Sequence, residues 1–184
     1  MPDRRHLRSM LADFSTVDAL EAAHHAAMIA LCAEPGDVFA RDHWTPGHFT
    51  ASSFVVSPDR QDILLIFHEK FRRWLQPGGH CEPGDGDVIA TARREVAEET
   101  GVTALSLLGA GLFDVDVHEI PPRKGDPAHR HFDVRLCFQA GSRAFAAGSD
   151  ALAARWVPIV DVPKVETDES VMRAVRKLEA LLAG

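Results

Sequence analysis

Three glutamates, Glu95, Glu98 and Glu99, stand at i, i+3 and i+4 in the stretch VIATARREVAEET, behind a loop that carries Gly78, Gly79, Gly84 and Gly86. The stretch is predicted to be helical, with Asp85 or Asp87 as its cap and Gly101 as its left-handed stop. Ile89, Ala92 and Val96 give it an apolar stripe that can pack on a sheet, so the carboxylates gather within about one turn of another face. Like charges so spaced oppose one another by roughly 0.2–0.5 kcal/mol per pair. A hard cation reverses that sign: Mg²⁺ or Mn²⁺ takes oxygen ligands and keeps several waters, so carboxylates plus a backbone carbonyl from the glycine loop suit it. Alone, an E-x-x-E-E run reads first as a solvated acidic helix face. The glycine loop, Arg94 beside Glu95 and the closing Gly101-Val102 shift the balance toward a site.

Together these parts resemble the Nudix box, whose family pattern is G-x5-E-x7-R-E-U-x-E-E-x-G-U, with U a bulky aliphatic residue. The run Arg94-Glu95-Val96-Ala97-Glu98-Glu99-Thr100-Gly101-Val102 fills the helical end without a substitution. The front end departs. Counting from Gly79, the first family glutamate falls on Asp85, and eight residues rather than seven separate it from Arg94. One extra residue thus sits in the loop around Gly84 to Asp87, and Asp85 or Asp87 is left to replace the glutamate that pairs with the arginine. The late Trp156-Val157-Pro158 is similar to a common Nudix ending and carries the likeness over roughly residues 48–182.

The resemblance implies an α/β chain with the Nudix fold, a mixed β-sheet sandwiched between helices. It divides the sequence into an N-terminal helical extension packed on the core, residues 1–45, and a Nudix hydrolase domain, residues 46–184. It also implies roles. Glu98 and Glu99 would ligate the metal, Glu95 would be a ligand or a base toward water, Arg94 would orient Glu95 or its neighbours, and the Gly78 carbonyl is a further ligand. The implied cofactor is Mg²⁺ (or Mn²⁺), and the implied reaction is hydrolysis of a diphosphate bond in a nucleoside diphosphate linked to another moiety. Family members also recruit a base from a distant Glu or His.

Residues outside the box complete the expected fold. Residues 16–33 are rich in helix formers, with Val17, Leu20, Met28 and Leu31 near helical spacing and Glu34-Pro35-Gly36 as a stop. His24 and His25 are adjacent there, point in different directions, and read as surface residues. HFTASSFVV and DILLIFHE, joined by Ser57-Pro58-Asp59-Arg60-Gln61, read as a hairpin. Further β-like runs span 105–118, 131–140 and 152–159, and DESVMRAVRKLEALLAG reads as an amphipathic helix with an acidic cap.

Substrate recognition is expected in DVDVHEIPPRKGDPAHRHFDVR. As two strands, it puts Asp114, Asp116 and His118 on one face and His131, Asp133 and Arg135 on one face of the next. Arg123, Lys124, His129 and Arg130 add positive charge suited to phosphate. Lys70, Arg72 and Arg73 form a second cationic cluster before Trp74. The candidate substrate-binding set is therefore Arg73, His118, Arg123, Lys124, His131 and Arg135. An exposed polar sheet face is the competing explanation, and His118, His129 and His131 could compose a separate metal site. His80 and Cys81 lie in the glycine loop without a partner at ligand spacing.

Composition sets limits. With 46% apolar and 26% charged residues in 184, the chain has the balance of a globular protein. Its net charge of −7 disfavours nonspecific nucleic-acid binding. Neither a membrane span nor a signal core is evident, so a cytoplasmic location is expected. Cys32, Cys81 and Cys137 are odd in number and widely spaced, as for reduced, buried thiols. The expected partner is a small-molecule diphosphate, with the N-terminal helix as the place for a possible homodimer contact. Two alternatives remain: a non-catalytic Nudix-like binding module, disfavoured by the intact glutamate set, and a diphosphate isomerase, whose cysteine-centred signature is not seen.

Overall fold

A computed structural model describes residues 1–69, 71–123, 125–145 and 153–183. The elements in chain order are α1 (Arg4–Asp13), α2 (Ala19–Leu31), β1 (Gly47–Val56), β2 (Asp62–His68), β3 (Arg73–Leu75), β4 (Gly78–His80), α3 (Val88–Thr100), β5 (Leu105–Leu107), β6 (Asp114–Ile120), β7 (His129–Ala140), β8 (Ala154–Pro158), a 3₁₀ helix (Ile159–Lys164) and α4 (Glu169–Ala183). The α/β class and the expected hairpin, carboxylate helix and terminal helix are present. The residues group into two compact units: Met1–Ser52 with Gly78–Ala92 and Gly109–Leu136, and Ser53–Pro77 with Arg93–Leu108 and Cys137 onward.

In the first unit, β1 pairs antiparallel with β4 through Thr50 and His80, and β6 pairs antiparallel with β7 through Asp114 and Arg135, Asp116 and Asp133, and His118 and His131. The polar faces expected of β6 and β7 do meet. All of β1 is buried, and its core side includes Phe49 against Phe39 and Phe132, with ring centroids 5.6 and 6.0 Å away. Helix α1 was not expected. Asp3 caps it, and Leu7, Met10 and Leu11 bury one stripe at i, i+3 and i+4, the spacing that would have marked it in MPDRRHLRSMLADF.

Helix α2 departs from its expected face. Met28 and Leu31 are buried, but Val17 and Leu20 are exposed, and Glu21 lies fully inside. Its carboxylate accepts from the Thr16 hydroxyl and, at 3.4 Å, from the Val115 amide, so hydrogen bonds compensate the buried charge. His24 and His25 are half-buried and not surface residues: His24 Nδ1 is 3.5 Å from Asp116, and His25 Nε2 is 2.7 Å from the Leu11 carbonyl.

In the second unit, the apolar run of β2 pairs with β1 at Leu64 and Val55, with β3 at Phe67 and Trp74, and with β8 at Leu64 and Trp156. Consecutive residues from Asp62 to Ile66 are all buried, so both faces of β2 are covered, which explains why DILLIFH lacks the alternation of a half-exposed strand. The turn before it places Arg60 at φ 59, and the Ser57 hydroxyl accepts from the Gln61 and Asp62 amides. The run expected at 105–118 is broken into β5 and β6 by Gly109 at φ 82. Val55, Leu64, Val96, Val102 and Ala140 form a buried cluster, with Trp156 packed against it. Asp168 caps α4, whose Val171, Ala174, Val175 and Leu178 face inward.

The three cysteines are buried, as expected, and burial pushes the thiols of Cys32 and Cys137 up to about 11 and about 12. Among the described residues no helix is long and apolar enough to cross a membrane. Gly47 has the most demanding backbone: at φ 142, an added Cβ would lie 2.0 Å from the Arg130 carbonyl oxygen. Gly47→Ala is therefore expected to lower the free energy of unfolding by about 3 kcal/mol or more. An unchanged midpoint in urea denaturation would contradict that close approach.

Candidate active site and a histidine cluster

Helix α3 begins on its predicted cap, with the Ala90 amide donating to Asp87 at 2.7 Å. Asp85 has another task. Buried, it accepts from the Glu82 amide at 2.8 Å and the Thr91 hydroxyl at 2.9 Å, closing the glycine loop on the first turn of the helix. None of Gly78, Gly79, Gly84 and Gly86 has a positive φ, so the loop does not use the left-handed backbone that glycine permits. Gly78 is required for closeness instead: in β4, opposite Ser52, an added Cβ would meet the Ser52 Cβ at 2.3 Å. The apolar side of α3 is Val88, Ala92 and Val96, all buried, while Ile89 is only half-buried.

At the other end of α3, Arg94 donates to Glu95 at 2.9 Å and to Glu98 at 3.0 Å. The guanidinium thus lies between two carboxylates that would otherwise repel. Glu95 and Glu99 are half-buried and Glu98 is exposed. Thr100 donates back to the Val96 carbonyl, and Gly101 at φ 71 ends the helix as expected. These are hard oxygen donors on one rigid turn, a set that fits Mg²⁺ or Mn²⁺.

The expected substrate readers occupy different settings. Arg73 opens β3 opposite His68 and is half-buried. Arg123 is exposed in the β6–β7 loop, where its backbone pairs with Asp126. Lys124 and Lys70 lie outside the described residues. His118 holds Asp116 at 3.2 Å. Arg135 is buried, which differs from the solvent-facing setting of a phosphate reader. Its guanidinium contacts Asp133 at 2.9 Å, Asp114 at 3.2 Å and Asp116 at 3.4 Å, and these charges hold its pKa above the ordinary value against the opposing effect of burial. Asp133 also accepts from Thr50 at 3.0 Å and Ser52 at 2.7 Å.

Beside this network the structure brings His48 and His80 to His129 and His131, two of the three histidines that the sequence grouped as a possible metal site. His48 on β1 is fully buried, and its ring lies 5.2 Å from His80 and 4.9 Å from His131. His80 therefore does have partners, brought by the pairing of β4 with β1. His129 packs alongside, its Nε2 3.3 Å from that of His131, whereas His118 lies at the edge, 5.5 Å from His131 between centroids. Burial, reinforced by the neighbouring histidines, pulls His48 and His80 down to about 4 and His131 to about 2. All three are neutral at pH 7. The sequence signal for His48 was its alternation with Thr50 and Ser52; the pairing with His80 is non-local and left no local trace.

A model of the NUDIX domain matches residues 47–177. The chain belongs to the Nudix family. Membership carries the expected enzyme class, a pyrophosphohydrolase, with it. Solved structures agree on the fold. A Nudix-family hydrolase from Clostridium perfringens matches with a TM-score of 0.56 and 22% identity, covering 73% of this chain and 97% of that one. An Ap4A hydrolase from C. elegans matches with a TM-score of 0.51 and 19% identity over 73% and 98% of the two chains. A dihydroneopterin triphosphate pyrophosphohydrolase from E. coli gives 0.54 and 16% over 70% and 92%. No curated protein sequence matches the chain.

In this Nudix chain, Arg135 is the group whose loss should be felt most in the β6–β7 network. Arg135→Met would leave Asp114, Asp116 and Asp133 buried without their common counter-charge. The expected cost is about 3–5 kcal/mol of stability, read from urea or thermal unfolding. A wild-type unfolding midpoint would show that the network does not support the fold.

Proposed function

We propose that the chain is a metal-dependent pyrophosphohydrolase that uses Glu95, Glu98 and Glu99 to hold Mg²⁺ or Mn²⁺ and cleaves a diphosphate bond in a nucleoside diphosphate linked to another moiety. The observation that carries this is the turn of α3 within the family match, where Arg94 bonds two of the three carboxylates that helical spacing gathers, Glu95 and Glu98. A bound divalent cation supplies charge neutralisation of the diphosphate and a lowered pKa for attacking water. Arg94 is a positioning residue: its two hydrogen bonds fix the directions of Glu95 and Glu98. Glu95, half-buried beside it, is the candidate for taking the proton from water. The Thr100 and Gly101 termination keeps the three side chains on one turn.

The substrate class rests on chemistry that related folds share. Ap4A and dihydroneopterin triphosphate both carry phosphoric anhydrides attached to an organic group. Exposed Arg123 offers a planar donor set for such an anion.

The test is a panel of nucleotide sugars, dinucleoside polyphosphates, ADP-ribose, NADH, coenzyme A and oxidised dNTPs, assayed with Mg²⁺ or Mn²⁺ and with chelator. Glu98 is exposed, so Glu98→Gln should fold normally yet lower kcat at least about 100-fold, which is roughly 3 kcal/mol of transition-state stabilisation. No product from any member, or full activity in Glu98→Gln, would refute the proposal.

A further inference from the structure

The histidine cluster offers donor chemistry of a different kind from that of α3. His48, His80 and His131 each present one ring nitrogen, and these atoms lie within 4.8 Å of one another. His48 is the most informative. Its Nδ1 lies 3.4 Å from the His43 carbonyl, and its Nε2 is buried without any hydrogen-bond partner. An orphaned buried polar atom is costly, and an ion accepting its lone pair removes that cost.

The surroundings match what imidazole ligands require. A histidine that binds metal through one nitrogen commonly donates the other ring N–H to a backbone carbonyl, which sets tautomer and orientation. His48 has such a carbonyl in His43, and His129 has one in Pro127 at 2.8 Å from its Nδ1. On a tetrahedral ion with metal–nitrogen bonds of about 2.0–2.1 Å, two ligand nitrogens stand roughly 3.3–3.4 Å apart. The 3.3 Å between His129 Nε2 and His131 Nε2 is already of that size. Trp44, 4.7 Å from His129 between ring centroids, adds an apolar wall beside the imidazoles.

We propose that His48, His80 and His131 form a binding site for a borderline transition-metal ion, zinc above all, with His129 beside it as a fourth imidazole. Neutral imidazole selects zinc and its neighbours over magnesium, whereas carboxylate oxygens prefer the hard cations. The site is thus independent of the carboxylate set of α3. Binding one ion requires the three nitrogens to close from within 4.8 Å to roughly 3.4 Å of one another, and three protein ligands leave a fourth position for His129, water or an oxygen of a bound anion.

The experiment uses the full chain, stripped with chelator and then equilibrated with zinc in a large excess of Mg²⁺. Metal content is measured by elemental analysis and affinity by competition with a chromophoric chelator. One zinc per chain should resist the magnesium, and cobalt in its place should give the visible absorption of a tetrahedral nitrogen site. His80→Ala and His131→Ala, the half-buried members, should each lose at least about 100-fold in zinc affinity with an unchanged far-UV spectrum. Glu98→Gln should retain the zinc, which separates this site from the proposed catalytic metal. Absence of stoichiometric zinc in the wild type overturns the proposal, as does wild-type affinity in either histidine variant. Zinc lost from Glu98→Gln but kept by both histidine variants overturns it too. If the histidine variants do not fold, wild-type stoichiometry and the cobalt spectrum decide.

Discussion

Asp133 is buried as a carboxylate, and a charge removed from water must be met by donors on every side. Three groups supply them: the hydroxyls of Thr50 and Ser52 from β1 and the Nε of Arg135 from its own strand. These bonds hold the polar face of β1 against that of β7. Because side chains alternate along a strand, the same registration brings His48, two residues before Thr50, to the side that carries His131, two residues before Asp133. Arg135 in turn binds Asp114 and Asp116, and Asp116 reaches His24 on α2. One satisfied charge thereby organises two strands, a helix and the histidines.

What could be seen beforehand followed the range of the interactions involved. Helix α3 is specified locally: Asp87 caps it, Gly101 stops it, and its carboxylates share a turn through spacing alone. The hairpin of β1 and β2 is local too, with the Ser57 hydroxyl and Arg60 building the turn. The facing of β6 and β7 could be inferred from period-two alternation across one connection. The histidine cluster could not, because His48, His80 and His131 come from three strands whose pairing depends on long-range contacts. The burial of Arg135 was hidden for a related reason. A basic residue in a charged stretch suggests exposure, and only the three surrounding aspartates reveal why it is inside. Glu21 is a similar case, a carboxylate occupying a place that helical spacing would give to an apolar residue.

The two donor sets differ in kind. Glu95 and Glu98 each give one carboxylate oxygen to the Arg94 guanidinium, and Glu99 adds a third carboxylate on the same turn, so this set presents charged oxygens. The histidines present neutral nitrogens, one of them with no partner at all. The softness and charge of the ligands are what would sort hard from borderline ions between two such sets.

The family match begins at residue 47, yet the preceding segment is built into the first compact unit. The Asp3 amide donates to the Gly86 carbonyl at 3.2 Å, His6 lies 3.5 Å from Asp87, and Leu7, Leu11, Met28 and Leu31 are fully buried. The segment before the matched residues thus shares a compact unit with part of them. Trimming a chain to its matched residues would strip an apolar layer and unfasten the glycine loop, so a recombinant fragment chosen by similarity alone would report on a different molecule.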